Sequence, residues 1–240
     1  MNPAVGSISA FFPCYNDEAT IASMVRLALE TIDGVGAEGE VIVIDDGSTD
    51  GSPQVLQELA AEQPRLRVVT HEQNRGYGGA LLSGFGAATS EWVFYTDGDA
   101  QFDPAELALL VAEAGADVDV VQGYKIRRAD NLVRRVIGRV YHRSVSFMFG
   151  LKIRDTDCDF RLIRREMLDR IRLEHTSGVI CVELVRKLQD EGARFVEVPV
   201  HHYPRLHGQS QFFRIPAVAS TARDLVKLWI GLVVRRGRAT

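Results

Sequence analysis

The chain has 240 residues, 46% hydrophobic and 8% aromatic, with a formal net charge of −4. That composition builds a sizeable core and argues against a disordered or fibrous chain. The length fits one domain with short additions, since domains usually run about 100–200 residues and single α/β domains run longer. The three cysteines, Cys14, Cys158 and Cys181, are far apart and odd in number. They argue against a disulfide framework or a CxxC zinc site and read as packing residues of a cytosolic chain. Met1–Ser7 lacks the basic start and apolar run of a signal peptide. No stretch reaches about 18 uninterrupted apolar residues, as a membrane-spanning helix needs.

The net charge hides an asymmetry. Residues 1–124 carry 4 Lys/Arg against 20 Asp/Glu, whereas residues 125–172 carry 14 against 6 and residues 173–240 carry 10 against 6. An acidic first part suits a cation, and a basic middle suits phosphates or an anionic surface. Solvated helix faces account for part of both. Nucleic-acid binding is not expected, because the basic stretch lacks a known module and the total charge is negative.

In chain order, Ile8–Phe12 reads as a short strand ending at Pro13. Ile21, Met24, Val25, Ala28, Leu29 and Ile32 recur at helical spacing. Val41–Ile44 is a β-branched run typical of a strand buried on both faces. Val55, Leu56 and Leu59 mark a second helix, and Leu66–Val69 a third strand. A third helix, Ala80–Ala87, opens at a glycine cluster. Trp92–Tyr95 is a fourth strand, Leu107–Val111 lies in a fourth helix, and Val118–Val121 closes the series. Strands alternating with helices of this length predict βαβ units and a mostly parallel sheet. Beyond it, Asn131–Phe149 reads as a basic helix, Val179–Gln189 as another, Phe195–Val200 as a strand, and a last helix begins near Pro216.

Ligands of open α/β sheets sit at the carboxyl ends of the strands. Four polar clusters follow successive strands and converge on that edge: Pro13–Glu18, Asp45–Asp50, Asn74–Gly79 and Thr96–Gln101. Asp97-Gly98-Asp99 can direct two carboxylates at one hard divalent cation, Mg²⁺ or Mn²⁺, which is typically held by one or two carboxylates plus substrate phosphates. Taken alone, such a triplet is also an ordinary acidic turn. Asp45 and Asp46 read either as turn and cap residues or as acceptors for an N–H of a nucleotide base. Gly76, Gly78 and Gly79 are either plain turn residues or let the backbone approach a ligand, with Arg75 beside its phosphates. His201, His202 and His207 read as loop hydrogen-bonding residues rather than a second metal site.

The joint order of these clusters resembles the family 2 glycosyltransferases with a GT-A fold, a Rossmann-like nucleotide-diphospho-sugar transferase architecture. The motifs stand here as Pro13-Cys14-Tyr15-Asn16-Asp17-Glu18, Asp45-Asp46-Gly47-Ser48-Thr49-Asp50, Asn74-Arg75-Gly76-Tyr77-Gly78-Gly79-Ala80 and Asp97-Gly98-Asp99-Ala100-Gln101. Asp155–Arg161 and Arg205–Gln211 are similar to the acidic segment and the closing loop of dolichyl- or polyprenyl-phosphate mannose or glucose synthases. The resemblance covers about residues 8–215. Asp17 stands where that pattern usually has Glu, and Gln211 where it often has Lys.

The resemblance implies a domain over 1–214 with a nucleotide-sugar-binding half (1–124) and an acceptor half (125–214). Residues 215–240 would form an amphipathic helix and a basic tail. Asp97, Asp99 and Gln101 would hold Mg²⁺ or Mn²⁺. Pro13, Tyr15, Asp17, Asp45, Asp46, Arg75, Gly76, Asp97, Gly98, Arg205 and Ser210 would bind a GDP- or UDP-sugar. Asp99, Asp157, Asp159 and Arg161 would be catalytic. Arg127, Arg128, Arg135 and Arg139 would hold an acceptor phosphate. The expected activity is inverting transfer of mannose or glucose to a polyprenyl or dolichyl phosphate by a cytoplasmic enzyme bound peripherally to the membrane. Two alternatives stay open: transfer to a hydroxyl of a glycan or small molecule, with Asp157 or Asp159 as base, and a non-catalytic sugar-nucleotide-binding scaffold. The last helix, with Trp229 on one side and Arg223 and Lys227 nearby, would meet lipid, a partner subunit or second copy, or its own domain.

Overall fold

The computed structural model describes residues 5–126, 132–205 and 215–234, without the side chains of 132–137, 139 and 215–220. Alternation along each strand sets two cores. In β1 (Ser7–Cys14), Ile8, Ala10 and Phe12 face one side of the sheet and Phe11 the other. β2 (Glu38–Asp45) divides likewise, Val41 and Val43 against Ile42 and Ile44. So does β4 (Trp92–Thr96), with Trp92 and Phe94 opposite Val93 and Tyr95. This is the period of two that a strand buried on both faces requires.

Helices cover both faces. α1 (Ile21–Gly34) buries Ile21, Met24, Val25, Ala28, Leu29 and Ile32, the full apolar stripe expected from the sequence. It joins α2 (Ser52–Glu62) and α4 (Leu107–Glu113) over the first core. α3 (Gly76–Ala87), the short α6 (Arg165–Asp169) and α7 (Ile180–Asp190) cover the second. β3 (Leu66–Thr70), β5 (Val120–Ile126) and β7 (Phe195–His201) complete the parallel strands.

The seven strands run in the order β3-β2-β1-β4-β6-β5-β7. β6 (Phe160–Arg164) is inserted antiparallel between β4 and β5. The sequence pattern had not shown this strand. It is five residues long with Arg161 at its second position, and a charged residue reads as solvent-facing until a buried partner set is seen. β5 runs through the point where the charge of the chain changes sign, so one sheet is built from both halves.

α5 (Leu132–Phe149) and α8 (Ile215–Trp229), the latter continued by a π-helical turn over Ile230–Val234, pack with α7 in a third cluster. Leu225, Leu228 and Leu232 are buried there, and Trp229 Nε1 donates to Met148 O at 2.8 Å. The inner face of the last helix therefore belongs to its own domain. Among the described residues no helix is long and apolar enough to cross a membrane.

One contact in the second core yields a stability prediction. A Cβ on Gly84 would lie 2.3 Å from the ring of Phe11. That ring is fully buried, 5.4 Å from Tyr95 and 5.1 Å from Phe85 between centroids, and cannot swing away. Alanine gains about 1 kcal/mol of helix propensity over glycine, but overpacking costs about 1–3 kcal/mol. Gly84→Ala should lower stability by about 1–2 kcal/mol in urea denaturation, and a stabilised variant would contradict the packing described.

Candidate active site

The topology brings the chemistry to one edge. Parallel strands β1, β2, β3, β4, β5 and β7 all deliver their carboxyl ends there, and antiparallel β6 starts there. Asp155–Asp159, leading into β6, thus lies on the same edge as Asp97–Asp99, leaving β4.

The loops after β1 and β2 interlock. Asn16, at φ 60°, accepts from Thr49 N at 2.7 Å through Oδ1, and its own N–H donates to Ser48 Oγ at 3.0 Å. Asp17 N–H donates to Ser52 Oγ, and Glu18 Oε2 accepts from Gly51 N. Asp45 Oδ1 accepts from Ser48 N at 3.0 Å and closes its turn. Asp46 is buried; its Oδ1 bonds His71 Nδ1 at 2.6 Å and accepts from Arg75 N at 2.8 Å. His71 Nε2 in turn meets Ser83 Oγ at 2.8 Å. The Oδ1 atoms of Asp45 and Asp46 are thus engaged within the protein. His71 went unnoticed in the sequence because a lone histidine after a strand carries no pattern.

The glycine cluster also has a packing role. Gly78 N donates to Thr176 O at 2.9 Å, and a Cβ on Gly78 would lie 2.5 Å from Thr176 C and 2.6 Å from His175 O. Gly78 lets backbone approach backbone. The approached segment is fixed by buried Glu183, which accepts from the backbone N–H of Glu174 and His175 and pairs with Lys187 at 2.6 Å.

The Asp97–Asp99 turn tucks beneath β1. A Cβ on Gly98 would lie 2.8 Å from Pro13 O, and Thr20 Oγ1 donates to Gly98 O at 2.8 Å. Asp97 Oδ1 is buried with no hydrogen-bond partner among the described residues. Burial, then the charges of Asp99 and Asp159, push its carboxyl well above the usual range, against a hydrogen bond from the Tyr77 side chain that pulls it down. Burial raises Asp99 too, against the pull of Arg205. Asp99 Oδ1 accepts from Gln101 N at 3.0 Å, and its Oδ2 is held by Arg205 Nη2. The buried Nε of Arg205 has no partner among the described residues. Gln101 exchanges hydrogen bonds with the backbone of Tyr203, 2.8 Å from Tyr203 N to Gln101 O and 3.2 Å from Gln101 Nε2 to Tyr203 O. His201 is fastened to Glu106 by its N–H and by Nδ1. The segment carrying Arg205 is therefore strapped at three alternate residues, His201, Tyr203 and Arg205, to the stretch from Asp99 to Glu106.

Asp17 sits on the other side of this turn, its Oδ2 accepting from Tyr15 N at 3.1 Å. Burial pushes its carboxyl up to about 6. A carboxyl raised on folding favours the protonated fold, so its stabilisation is lost as pH rises from about 4 through 6. Asp17→Asn should therefore leave stability unchanged near pH 4 and raise it by up to about 2 kcal/mol near pH 8. Melting curves of the metal-free protein across that range test this, and equal stabilities at pH 8 would contradict it.

The acidic segment before β6 surrounds two cations, half-buried Lys125 and fully buried Arg161. Lys125, near the end of β5, donates through Nζ to Asp157 O, and its N–H donates to Asp155 Oδ2 at 3.3 Å. Burial lowers its pKa, but the charges of Asp155, Asp157 and Asp159 outweigh that and hold it above the ordinary value. Lys125 carries no signal in the sequence, since one lysine at a strand end is unremarkable without its surroundings.

Arg161, expected to be catalytic, is fully buried. It donates to Gln122 Oε1 at 2.5 Å, Asp159 Oδ1 at 2.6 Å, Thr156 O at 2.9 Å and the Tyr95 hydroxyl. Enclosed this way it meets no solvent and is bonded to Asp159. Asp159 Oδ1 also accepts from Cys181 Sγ at 3.1 Å. Arg127, Arg128 and Ser210 lie outside the described residues, as do the side chains of Arg135 and Arg139 and the histidine at 207.

The donor set fits a divalent cation on three grounds. Among the described residues, the buried Oδ1 of Asp97 has no hydrogen-bond partner of its own. Burial and, for Asp97, like charge raise the carboxyls of Asp97 and Asp99. Asp17, Asp97, Asp99, Asp155, Asp157 and Asp159 outnumber Lys125, Arg161 and Arg205 among them. Among the described residues, no three His, Cys, Asp or Glu side chains converge as a closed metal site. The arrangement suits an ion completed by substrate oxygens.

Residues 9–172 match the sequence profile "Glycosyl transferase family 2". A curated relative, the undecaprenyl-phosphate 4-deoxy-4-formamido-L-arabinose transferase of Enterobacter sp. (strain 638), is 29% identical over 211 residues. That match covers 87% of this chain and 63% of the relative, so the chain spans less than two thirds of the relative's length. Glucosyl-3-phosphoglycerate synthase from Mycobacterium tuberculosis, solved with phosphoglyceric acid, superposes with a TM-score of 0.71 at 21% identity, covering 94% of this chain and 79% of that one. The same enzyme solved with Mn²⁺, UDP and glucosyl-3-phosphoglycerate superposes with a TM-score of 0.69 at 20% identity over 94% and 79% of the two chains. With residues 9–172 matched and the GT-A architecture present, the chain belongs to glycosyl transferase family 2.

Proposed function

We propose that the chain is a metal-dependent, inverting glycosyltransferase that moves mannose or glucose from a UDP- or GDP-sugar to a polyprenyl or dolichyl phosphate at the cytoplasmic face of a membrane. The observation that carries this is the pair of unmet groups at the strand edge. Among the described residues, buried Asp97 Oδ1 and buried Arg205 Nε each have no hydrogen-bond partner of their own, although Tyr77 bonds the Asp97 carboxyl. A cation bound to a diphosphate meets both needs.

Asp97, Asp99 and Gln101 would hold Mg²⁺ or Mn²⁺, with the ion's charge neutralising the departing diphosphate. Asp17, Asp46 and Tyr15 flank the nucleotide, and Arg205 turns its free donor to the phosphates. The acceptor oxygen forms its bond to the anomeric carbon as the bond to the nucleoside diphosphate breaks. A phosphate monoester has a second pKa of about 6, so at neutral pH it arrives largely ionised and needs no base. Asp159, held by Arg161, then shapes the acceptor side rather than taking a proton. Arg127, Arg128, Arg135 and Arg139 supply the positive charge the phosphate needs. The name of the curated relative supports a lipid-phosphate acceptor. The complexes of the M. tuberculosis enzyme support UDP and Mn²⁺ or Mg²⁺.

Transfer of labelled sugar from UDP-glucose and GDP-mannose, offered undecaprenyl phosphate and the free polyprenol side by side, tests the reading. Product on the phosphate alone is expected. A preference for a hydroxyl, on the polyprenol or a small molecule, would overturn the acceptor assignment.

A further inference from the structure

α5 and α8 bury one face each in the third core cluster, and their other faces are unusual. On α5 the exposed stripe runs Val140, Arg143, Ser144, Phe147, with Val140 59% and Phe147 91% exposed. On α8 and the turn after it the stripe runs Ala222, Arg223, Val226, Lys227, Ile230, with Val226 50% and Ile230 40% exposed. A water-facing helix side normally carries polar and charged residues, with both signs interspersed over a protein surface. Here the charged members are all basic and the apolar members are large. The one carboxylate in the sequence of these helices, Asp224, is half-buried and lies 3.8 Å from Arg223.

Isolated exposed apolar residues need no explanation. Two spaced stripes on helices packed in one cluster do. Val140 and Phe147 are seven residues apart, and Ala222, Val226 and Ile230 four apart, so each series lies along one side of its helix. α5 is also tied to the acceptor side of the site, where His142 Nδ1 lies 3.2 Å from Thr156 Oγ1, within the Asp155–Asp159 segment. Any surface that α5 rests on is therefore coupled to the loop held by Lys125 and Arg161.

We propose that these two stripes form the docking face of the protein for an anionic lipid bilayer, with Phe147 and Val226 entering the headgroup region and Arg143, Arg223 and Lys227 meeting lipid phosphates. Helices combining a basic polar edge with large apolar residues lie in that interface, and juxtaposed basic side chains add attraction to acidic lipid. The choice of a bilayer over a protein rests on charge: the exposed charged residues of both stripes are basic, which complements a surface of uniform negative sign. The proposal deepens the lipid-phosphate reading above, because it brings the acceptor loop to the surface where such an acceptor resides.

Co-sedimentation of the full chain with vesicles tests it. Binding is expected to equimolar phosphatidylcholine and phosphatidylglycerol, with little to phosphatidylcholine alone and loss in high salt. Phe147→Ser should weaken partitioning about tenfold. Arg223→Glu with Lys227→Glu should weaken it about tenfold or more. Both variants should keep the nucleotide-induced rise in melting temperature, which shows that they are folded. Absence of wild-type binding to acidic vesicles, or equal binding by both variants, would overturn the proposal. A wild-type dimer in sedimentation velocity that Phe147→Ser converts to monomer would overturn it as well, since the occupant would then be a second copy. Vesicle binding by a wild-type chain that responds to no nucleotide would support the docking face while overturning the glycosyl-transfer reading on which its purpose rests.

Discussion

Asp97→Asn is expected to reduce sugar transfer about 1000-fold while leaving the metal-free protein at least as stable as the parent. The first effect follows from the proposed ion. An ion neutralising a leaving diphosphate contributes several kcal/mol to the barrier, and each 1.36 kcal/mol is a tenfold change in rate. The second follows from the burial of Asp97 beside Asp99 and Asp159. A carboxyl raised by folding costs stability increasingly as pH climbs from its unfolded value, near 4, toward its folded one. The neutral asparagine avoids that cost, so the advantage of the variant should widen with pH. Paired rate and melting measurements separate the explanations. Loss of activity together with loss of stability would mark Asp97 as a structural residue and contradict the metal reading.

Arg161→Met should have the largest effect on stability, about 3–5 kcal/mol. The guanidinium has no solvent contact and serves four acceptors on β4, β5 and the Asp155–Asp159 segment. Methionine has similar bulk but leaves Asp159 without its buried counter-charge, a change that typically costs that much. It also strands Gln122 Oε1 and Thr156 O. For a chain of this size each kcal/mol lowers the melting temperature by roughly 2–4 °C, so a fall of about 10 °C is expected. Asp159→Asn in the same background should recover part of the loss, because it removes the unpaired charge. A melting temperature within about 2 °C of the parent would contradict the burial and bonding of Arg161.

How far the sequence speaks for itself depends on whether a pattern is local. The stripe of α1 was legible because six apolar residues at helical spacing have one physical interpretation, and all six are buried. The edge that gathers Asp17, Asp46 and Asp97 was legible because parallel strands put their ends on one side. β6 was not, since its evidence lies in the partners of Arg161, which come from residues up to 66 positions away. The same holds for Lys125 and for the pairing of His71 with Asp46. Gly78 was ambiguous in kind: its lack of a side chain serves the approach of His175 and Thr176, where a ligand had been an equal expectation. The last helix was open among lipid, partner and own core. Its buried leucines assign one face to the core and leave the other to the proposed bilayer.

In the proposed mechanism the strand edge binds a nucleotide diphosphate through a divalent cation. Its most direct test is the melting temperature of the wild-type chain with UDP, GDP, UDP-glucose and GDP-mannose, each with and without Mn²⁺. A ligand at 100 times its dissociation constant should stabilise by about 2.7 kcal/mol. A rise is expected with one nucleotide series, dependent on Mn²⁺ and absent in Asp97→Asn. A folded protein that responds to none of them, or responds equally without metal, would contradict it.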